Sequence, residues 1–350
     1  MDLSLSVMYW PWFEPQEQLD LAVAADRAGF HSVWVAEGYG QDAVALLGWI
    51  AGRTERIGLG AGILQIPARQ PTTTAMAAAS LDRISAGRMI LGLGLSGPQV
   101  SEGFYGVPFT APLARTREYI EIIRLALSGA PVAYQGAHWQ LPARSGMGVG
   151  KPLKLLGGPP RGDLPIYLGV GGEKTVRQCG EIADGWMPFL FSPSQASMLT
   201  APLLEGIARA GRSRSDVKIA PMVPAALDRD LDAARDQLRP VLALYLGGMG
   251  TRDHNFYVDL ATRYGHGASA RACQDAFLTG DRRAAAAALT PELIDLIGLA
   301  TTPTTLERRL ADYRDAGVDT LVVTPFGDRR ALIAALAAHL PAADRVEVAS

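Results

Sequence analysis

One unit recurs along this chain: an amphipathic helix, a glycine that stops it, and a short strand rich in β-branched residues. Near the N-terminus the helix and its stop cover Gln16–Gly29, and the strand His31–Val35 follows. Near the C-terminus the unit returns as Leu306–Gly317, followed by Thr320–Val323. A glycine directly after the last helical turn takes the left-handed conformation, so each one predicts a helix end. Such units build alternating helices and parallel strands.

The same rhythm predicts about eight strands over the whole chain. The further predicted strands are Leu3–Trp10, Arg56–Leu64, Arg88–Leu95, Leu164–Val170, Trp186–Phe191, Val217–Ala226 and Thr320–Thr324. Their nearly continuous apolar character is typical of parallel strands buried on both faces. We therefore expect one α/β domain over residues 1–350, a (β/α)8 TIM barrel with insertions, because closure removes the sheet edges. A doubly wound open sheet is the competing layout.

Two stretches break the rhythm and are predicted to be insertions, at residues 130–163 and 247–302. The first is rich in glycine and proline and precedes the fifth strand. The second has the pattern of three helices, Phe256–Tyr264, Ala270–Phe277 and Pro291–Leu299, with glycine-rich joints. An insertion of that size above a barrel is either a wall or lid of the substrate pocket or a dimer-packing element. The sequence leaves both interpretations open.

The charge balance and the cysteine usage exclude several classes of function. The chain has 33 basic and 35 acidic residues, well interspersed, with a formal net charge of −2. We therefore expect neither a nucleic-acid partner nor a membrane-surface partner. Cys179 and Cys273 stand far apart and the histidines are scattered, so no metal site is expected. With no signal-peptide pattern and no apolar run of bilayer length, the sequence predicts a cytoplasmic protein.

Active sites of barrel enzymes lie at the C-terminal ends of the strands, so residues after each predicted strand are the first candidates. After the second strand, Glu37 and Tyr39 are candidate proton donors or acceptors. The alternative is that Glu37 pairs with a neighbouring arginine. Asp42 is expected to cap the next helix.

The third and fourth strands carry glycines that need an explanation. Gly60 and Gly62 indicate either a bulge that supports a planar ring or a place where a helix packs closely. The loop after the fourth strand contains Gly97 and Gln99, and Glu102 within it is a third acid/base candidate. Its G-x-G pattern does not complete a dinucleotide-binding fingerprint.

A glycine-rich turn follows the fifth strand and opens a predicted helix. Its sequence runs from Gly169 and Val170 through Gly171 and Gly172 to Glu173, Lys174 and Thr175. Unpaired amide groups and the helix dipole at such a turn favour a phosphate group, and a lysine and a threonine stand beside it. The alternative is an ordinary tight turn between strand and helix.

Taken as a set, these segments resemble the luciferase-like monooxygenase family, and within it the actinobacterial branch of deazaflavin-dependent oxidoreductases. That branch is similar to methylenetetrahydromethanopterin reductase. The stretches that carry the resemblance are Val33–Gly40, Gly62–Arg69, Gly92–Val100, Arg115–Tyr119 and Ala183–Trp186. They occur in the family's order, from the first strand to about the sixth.

The resemblance implies which residues bind the coenzyme. Gly62 and Ile63 match a non-proline cis peptide in a bulge that supports the isoalloxazine or deazaflavin ring. Gly171, Gly172, Lys174 and Thr175 match the region that holds the coenzyme phosphate, while Gly97 and Gln99 fall beside the ring. The expected coenzyme-binding set also includes Gln65, Gly169 and Val170. One departure is Glu37, which stands where related sugar-phosphate dehydrogenases carry a catalytic histidine, so their catalytic machinery is not carried over.

The resemblance implies hydride transfer between coenzyme F420 and a small organic substrate, in either direction, by an enzyme that forms a homodimer. Trp10, Trp12 and Phe104 are the expected substrate-pocket residues, and aromatic residues near strand ends suggest a largely apolar pocket. An FMN-dependent monooxygenase is the first alternative. A non-catalytic coenzyme-binding barrel is the second, and a sugar-phosphate enzyme without redox chemistry is the least favoured.

Overall fold

Eight parallel strands close into a ring in the computed structural model, which describes residues 1–9, 11–157 and 161–340. Each strand is hydrogen-bonded to the next around the ring. The strands are Asp2–Val7, Ser32–Val35, Gly58–Ala61, Met89–Gly94, Ile166–Gly169, Gly185–Trp186, a seventh in two pieces, Lys218–Ile219 and Met222–Leu227, and Thr320–Phe326.

The seventh strand closes the ring. Its first piece pairs with Gly185–Trp186, and its second pairs with the eighth strand from Met222 opposite Val322 onward. The eighth strand then pairs with the first. The predicted TIM barrel is therefore confirmed, and the open doubly wound sheet is wrong.

The helices follow the strands and cover the barrel. Helix Pro15–Ala28 begins with a proline and ends at Gly29, whose φ of 87° is the left-handed conformation predicted for a stop. Asp42 caps the next helix by accepting a hydrogen bond from the Ala45 amide, as predicted. The helices of the described residues are Pro15–Ala28, Ala43–Ala51, Pro71–Ile84, Pro98–Gly103, Pro112–Leu127, Glu173–Ile182, Ala196–Arg209, Leu231–Ala243, Phe256–Arg263, Gly267–Leu278, Arg282–Ala287, Pro291–Ile297, Leu306–Asp315 and Arg329–Ala337.

Prolines account for two differences between predicted and observed strands. The sixth strand ends at Trp186 and does not run to Phe191, because Pro188 has no amide to donate to the ladder. The predicted single strand Val217–Ala226 is split at Pro221 for the same reason. Both pieces still contact both neighbours, since Met222 forms a parallel bridge with Phe189 and the Asp319 amide donates to the Ile219 carbonyl.

The two predicted insertions differ in structure. The first contains an antiparallel hairpin, Tyr134–Gln135 with Gln140–Leu141. The second contains four helices, and the prediction of helix through Leu299 is wrong. Helix Pro291–Ile297 ends at Gly298, and Leu299–Thr301 form a short strand that pairs with the end of the seventh strand.

The barrel interior is filled by a cluster around Trp34. Tyr167, Met187 and Val322 pack with it, and the Trp34 and Tyr167 ring centroids are 5.5 Å apart. A Cβ on Gly60 would lie 2.2 Å from the Trp34 ring. Gly60 therefore makes room for Trp34, which is a structural role.

Candidate functional site

A cavity of about 200 Å³ opens at the C-terminal ends of the barrel strands. Every barrel strand except the fourth contributes a lining residue from the strand itself or from the segment after it, and Leu244–Gly248 and helix Phe256–Arg263 contribute the rest. No charged side chain lines it among the described residues. The lining residues are Met8, Ala36, Gly62, Ile63, Gly169, Val170, Gly171, Met187, Phe189, Met222, Tyr245, Phe256, Tyr257 and Thr324.

The floor of this main cavity is a bulge in the third strand. A short strand, Leu64–Gln65, continues the third strand beyond the bulge. Gly60 pairs with Ile90 and Leu64 with Leu93, so four steps along the third strand and its continuation match three along the fourth. The Gly62–Ile63 peptide within the bulge is cis, as the resemblance implied. The predicted bulge is confirmed, and Gly62 lines the cavity whereas Gly60 does not.

Gly94 on the fourth strand and Gly169 on the fifth leave the space that the Ile63 side chain occupies. A Cβ on Gly94 would lie 2.5 Å from Ile63 Cδ1, and one on Gly169 would lie 2.9 Å from Ile63 Cγ2. Any larger residue at either position would displace the Ile63 side chain from its place. The Ile63 side chain in the cavity floor therefore depends on glycine at positions 94 and 169.

The residues present fit a coenzyme with a flat ring and a phosphate arm. Gly62, Gly169 and Gly171 line the cavity with backbone, since none of them has a side chain. The Phe256 ring packs where a Cβ on Gly171 would lie, and Ile63 packs where a Cβ on Gly169 would lie. Helix Glu173–Ile182 begins at Gly172 without a side-chain cap, so its first amides and its dipole are available to an anion. The site thus offers backbone amides and glycines, rather than charged side chains, to a ligand.

The side chains of the predicted phosphate turn lie on the surface. Lys174 is exposed, and Glu173 lies 3.6 Å from Arg263. The Thr175 hydroxyl donates to the Gly172 carbonyl at 2.8 Å, so it stabilises the turn. A Cβ on Gly171 would lie 2.1 Å from the Phe256 ring, which packs against this turn.

Three tyrosines place hydroxyl groups at or beside the main cavity. Burial raises the pKa of Tyr9, against the opposing effect of its hydrogen bond with Tyr245. Burial raises the pKa of Tyr245 well above its ordinary range, and Tyr9 and Tyr257 raise it further. Burial also raises the pKa of Tyr257. All three are therefore neutral phenols near neutral pH, able to donate a hydrogen bond or a proton.

The Glu37 corner, formed by Glu37, Arg69 and Asp42, is an ion-pair cluster beside the main cavity. Glu37 Oε1 and Oε2 accept from the Arg69 guanidinium at 2.6 and 2.7 Å, and from the amides of Gln65 and Ala43 at 3.1 and 3.2 Å. Arg69 also contacts Asp42 at 2.5 Å. Both Glu37 oxygens are engaged, and the Glu37 side chain does not line the cavity. The structure thus has the arginine pairing that the sequence left as an alternative.

The other two predicted acid/base residues lie on the surface loops. Glu102 Oε1 accepts from the Phe109 amide at 2.9 Å and so stabilises its own loop. Tyr39 is 60% exposed and its ring centroid lies 6.1 Å from that of Phe104. Phe104 is 62% exposed. The structure does not bring these residues into the main cavity.

The remaining predicted residues fall in different places. Gln65 is buried next to the bulge, and its Oε1 has no hydrogen-bond partner in the part of the chain that the structure describes. Gly97 begins helix Pro98–Gly103, and Gln99 is exposed. Trp12 packs against Phe326 with ring centroids 5.9 Å apart, outside the lining of the main cavity. Trp10 lies outside the described residues.

Most residues of the cavity wall are not among those predicted from the sequence. Tyr245 lies in a helical segment after Leu231–Ala243, and Phe256 and Tyr257 begin a helix of the second insertion. This placement favours the pocket-wall interpretation of that part of the insertion. Met8, Met187, Met222 and Thr324 stand near strand ends, and that position was the available signal.

Within residues 1–9, 11–157 and 161–340, no cluster of potential metal ligands occurs. In the same ranges no helix is long and apolar enough to span a bilayer. Both cysteines are free and buried.

Several known proteins are similar to this chain in sequence or in fold over most of their length. A sequence profile for luciferase-like monooxygenases matches residues 4–320. A Mycobacterium tuberculosis protein named as a coenzyme F420-dependent oxidoreductase is 42% identical over 329 residues, covering 93% of this chain and 95% of that protein. The 5,10-methylenetetrahydromethanopterin reductase of Archaeoglobus fulgidus is 29% identical over 309 residues, covering 87% and 88%. The solved structure of the coenzyme F420 dependent tetrahydromethanopterin reductase of Methanopyrus kandleri matches with a TM-score of 0.82, 26% identity, and coverage of 97% and 98%.

Proposed function

The chain belongs to the luciferase-like monooxygenase family, and from that premise we propose that it is a coenzyme F420-dependent oxidoreductase acting on a small, largely apolar organic substrate. The observation that carries the proposal is the main cavity, whose glycine-lined floor suits a flat ring and whose other walls are methionines and aromatic side chains. The relatives named for coenzyme F420 support the choice of coenzyme.

The residues that would hold the coenzyme are parts of the backbone. Gly62 and Ile63 would support the ring, and Gly171, Gly172 and the first amides of helix Glu173–Ile182 would hold the phosphate. When bound, a deazaflavin supplies or accepts a hydride. The protein's contribution is to orient the substrate above the ring and to keep water out of an apolar site.

Hydride transfer to a C=C or C=N bond also requires a proton. We propose that Tyr245 donates this proton. This side chain lines the cavity, and its hydroxyl hydrogen-bonds with Tyr9. Burial raises the pKa of Tyr245, which keeps the phenol neutral but makes it a weaker acid, so the assignment rests on the position of the hydroxyl at the cavity and not on its pKa. Glu37 is less suited to the role, since both of its oxygens accept hydrogen bonds from protein groups.

The proposal is tested anaerobically by following oxidation of reduced F420 in the presence of neutral enones, imines and ketones. We expect turnover with at least one of these classes, and Tyr245→Phe should lower kcat at least about tenfold with a small change in KM. Tyr264→Phe is the matched control, because the Tyr264 hydroxyl donates to the Leu190 carbonyl outside the cavity lining. Oxygen uptake with reduced FMN would instead support the family's monooxygenase chemistry. Tight F420 binding without any turnover would support a coenzyme-binding barrel.

We also propose that the protein works as a homodimer in the cytoplasm. Trp49, Met76 and Ile84 are 40%, 55% and 60% exposed on the outer helices after the second and third strands, and a second copy could cover them. The free, buried thiols suit a reducing compartment. Light scattering should give twice the mass of the chain, and Met76→Glu should shift the protein toward monomer.

A further inference from the structure

A second cavity, of about 380 Å³, shares no lining residue with the main cavity. It lies between the segment after the third strand, the loop after the fourth strand, the start of helix Pro112–Leu127, and the hairpin residues His138 and Trp139. Phe109, Trp139 and several prolines make much of its wall apolar. Its volume lies within the range of small-molecule sites.

Two arginines line this second cavity, and they differ in what surrounds them. Arg69 belongs to the Glu37 corner and is neutralised by Glu37 and Asp42. Arg115 forms no ion pair and no side-chain hydrogen bond with any residue that the structure describes, and its Nε is buried. The Arg115 guanidinium carbon lies 5.8 Å from the centroid of the Trp139 ring. Arg115 is therefore a positive charge without a counter-charge in a partly apolar cavity.

The neighbouring carboxylates are committed to backbone amides. Glu102 accepts from the Phe109 amide at 2.9 Å. Glu118 accepts from the amides of residues 137–139 at 2.9, 2.9 and 3.1 Å. Neither carboxylate pairs with Arg115. A partly buried guanidinium favours an anionic partner, because burial without a counter-charge or hydrogen-bond acceptor is costly.

We propose that the second cavity binds a small carboxylate with an apolar body. The carboxylate would pair with the Arg115 guanidinium, whose planar fork matches two carboxylate oxygens. The apolar body would pack against Phe109 and Trp139. These apolar walls favour an anion carried on a hydrocarbon over inorganic phosphate. The site is independent of the proposed function, because it uses no residue of the main cavity.

Calorimetric titration of the full-length protein with benzoate and with benzamide tests the charge requirement. The two probes have the same ring and differ in the carboxylate, so we expect benzoate to bind at least about tenfold more tightly than benzamide. Equal binding of the two probes, or no benzoate binding at millimolar concentration, would overturn the proposal.

Substitutions locate the site. Arg115→Gln should weaken benzoate binding at least about tenfold, whereas Arg117→Gln should leave it unchanged, because Arg117 pairs with Glu181 outside the second cavity. Benzoate binding that survives Arg115→Gln contradicts the assignment. If Arg115→Gln fails to fold, the Arg115 Nε–H resonance of the wild-type protein decides the matter. It should shift with benzoate and not with benzamide, and the absence of such a shift would overturn the proposal.

Discussion

The Glu37 corner and the main cavity lie side by side at the ends of the barrel strands, yet their chemistry is opposite. In the corner, the buried carboxylate of Glu37 is matched to Arg69 and to two backbone amides. In the cavity, no described lining residue is charged, and the polar side-chain groups are hydroxyls. A carboxylate that follows a barrel strand can therefore fix the loops around a cavity while other residues line the cavity itself.

The largest effect is expected from breaking the corner. Glu37→Gln leaves Arg69 with only the exposed Asp42 as a counter-charge, and the Glu37 and Arg69 side chains are only 3% and 14% exposed. We expect the free energy of unfolding to fall by about 3 kcal/mol, measured by urea denaturation. Asp42→Asn is the control, with a loss below about 1 kcal/mol, because Asp42 is 55% exposed and asparagine still caps the helix. A Glu37→Gln protein that is inactive yet fully stable would make Glu37 catalytic and reverse the comparison.

An intermediate effect is expected from disturbing the cavity floor. Gly94→Ala adds a Cβ 2.5 Å from Ile63 Cδ1, which must shift the side chain that supports the proposed ring position. F420 should bind about tenfold more weakly, as measured by fluorescence titration. Gly103→Ala, whose new Cβ would have no neighbour within 4 Å, should bind F420 as the wild type does. Unchanged affinity in Gly94→Ala would remove Ile63 from the coenzyme site.

The smallest effect concerns a tyrosine that supports the corner. The Tyr119 hydroxyl is 2.5 Å from Thr74 Oγ1 and donates to the Arg69 carbonyl at 3.2 Å. Tyr119→Phe should therefore lower the free energy of unfolding by about 1 kcal/mol at neutral pH. Tyr313→Phe should cost less, because the buried Tyr313 hydroxyl has no partner among the described residues. Equal losses in both variants would argue against support of the corner by this hydroxyl.

The same tyrosine gives a pH dependence with a definite sign. Burial raises the pKa of Tyr119 from its ordinary 10.0 to about 12. The folded protein thus holds this proton more tightly than the unfolded chain, and the stabilisation is complete below pH 10 and lost as the pH rises from there toward 12. Urea denaturation of the wild type should show stability falling above pH 10, and Tyr119→Phe should show a shallower fall. A steeper fall in the variant would contradict this sign.

The barrel and its bulged floor could be predicted because their signals are local. Gly29 marks a helix end, and Gly62 lies in the cis peptide of the bulge. Both signals are read within a few residues of the feature that they predict.

The role of Glu37 and the residues of the cavity wall could not be predicted from the sequence in the same way. Both depend on contacts between residues that lie far apart in the sequence. Glu37 meets Arg69 across 32 positions of sequence. Tyr245 and Phe256 reach the cavity only through the fold of segments that follow the seventh strand. Most aromatic residues near strand ends serve the core, so their spacing alone does not separate core from pocket.

The coenzyme assignment is tested most directly by a pair of titrations of the purified apoprotein, one with coenzyme F420 and one with FMN, followed by tryptophan fluorescence or calorimetry. We predict tight binding of F420, negligible binding of FMN, and weaker F420 binding in Gly94→Ala. Tight binding of FMN with negligible binding of F420 would contradict the assignment, and so would binding of neither coenzyme.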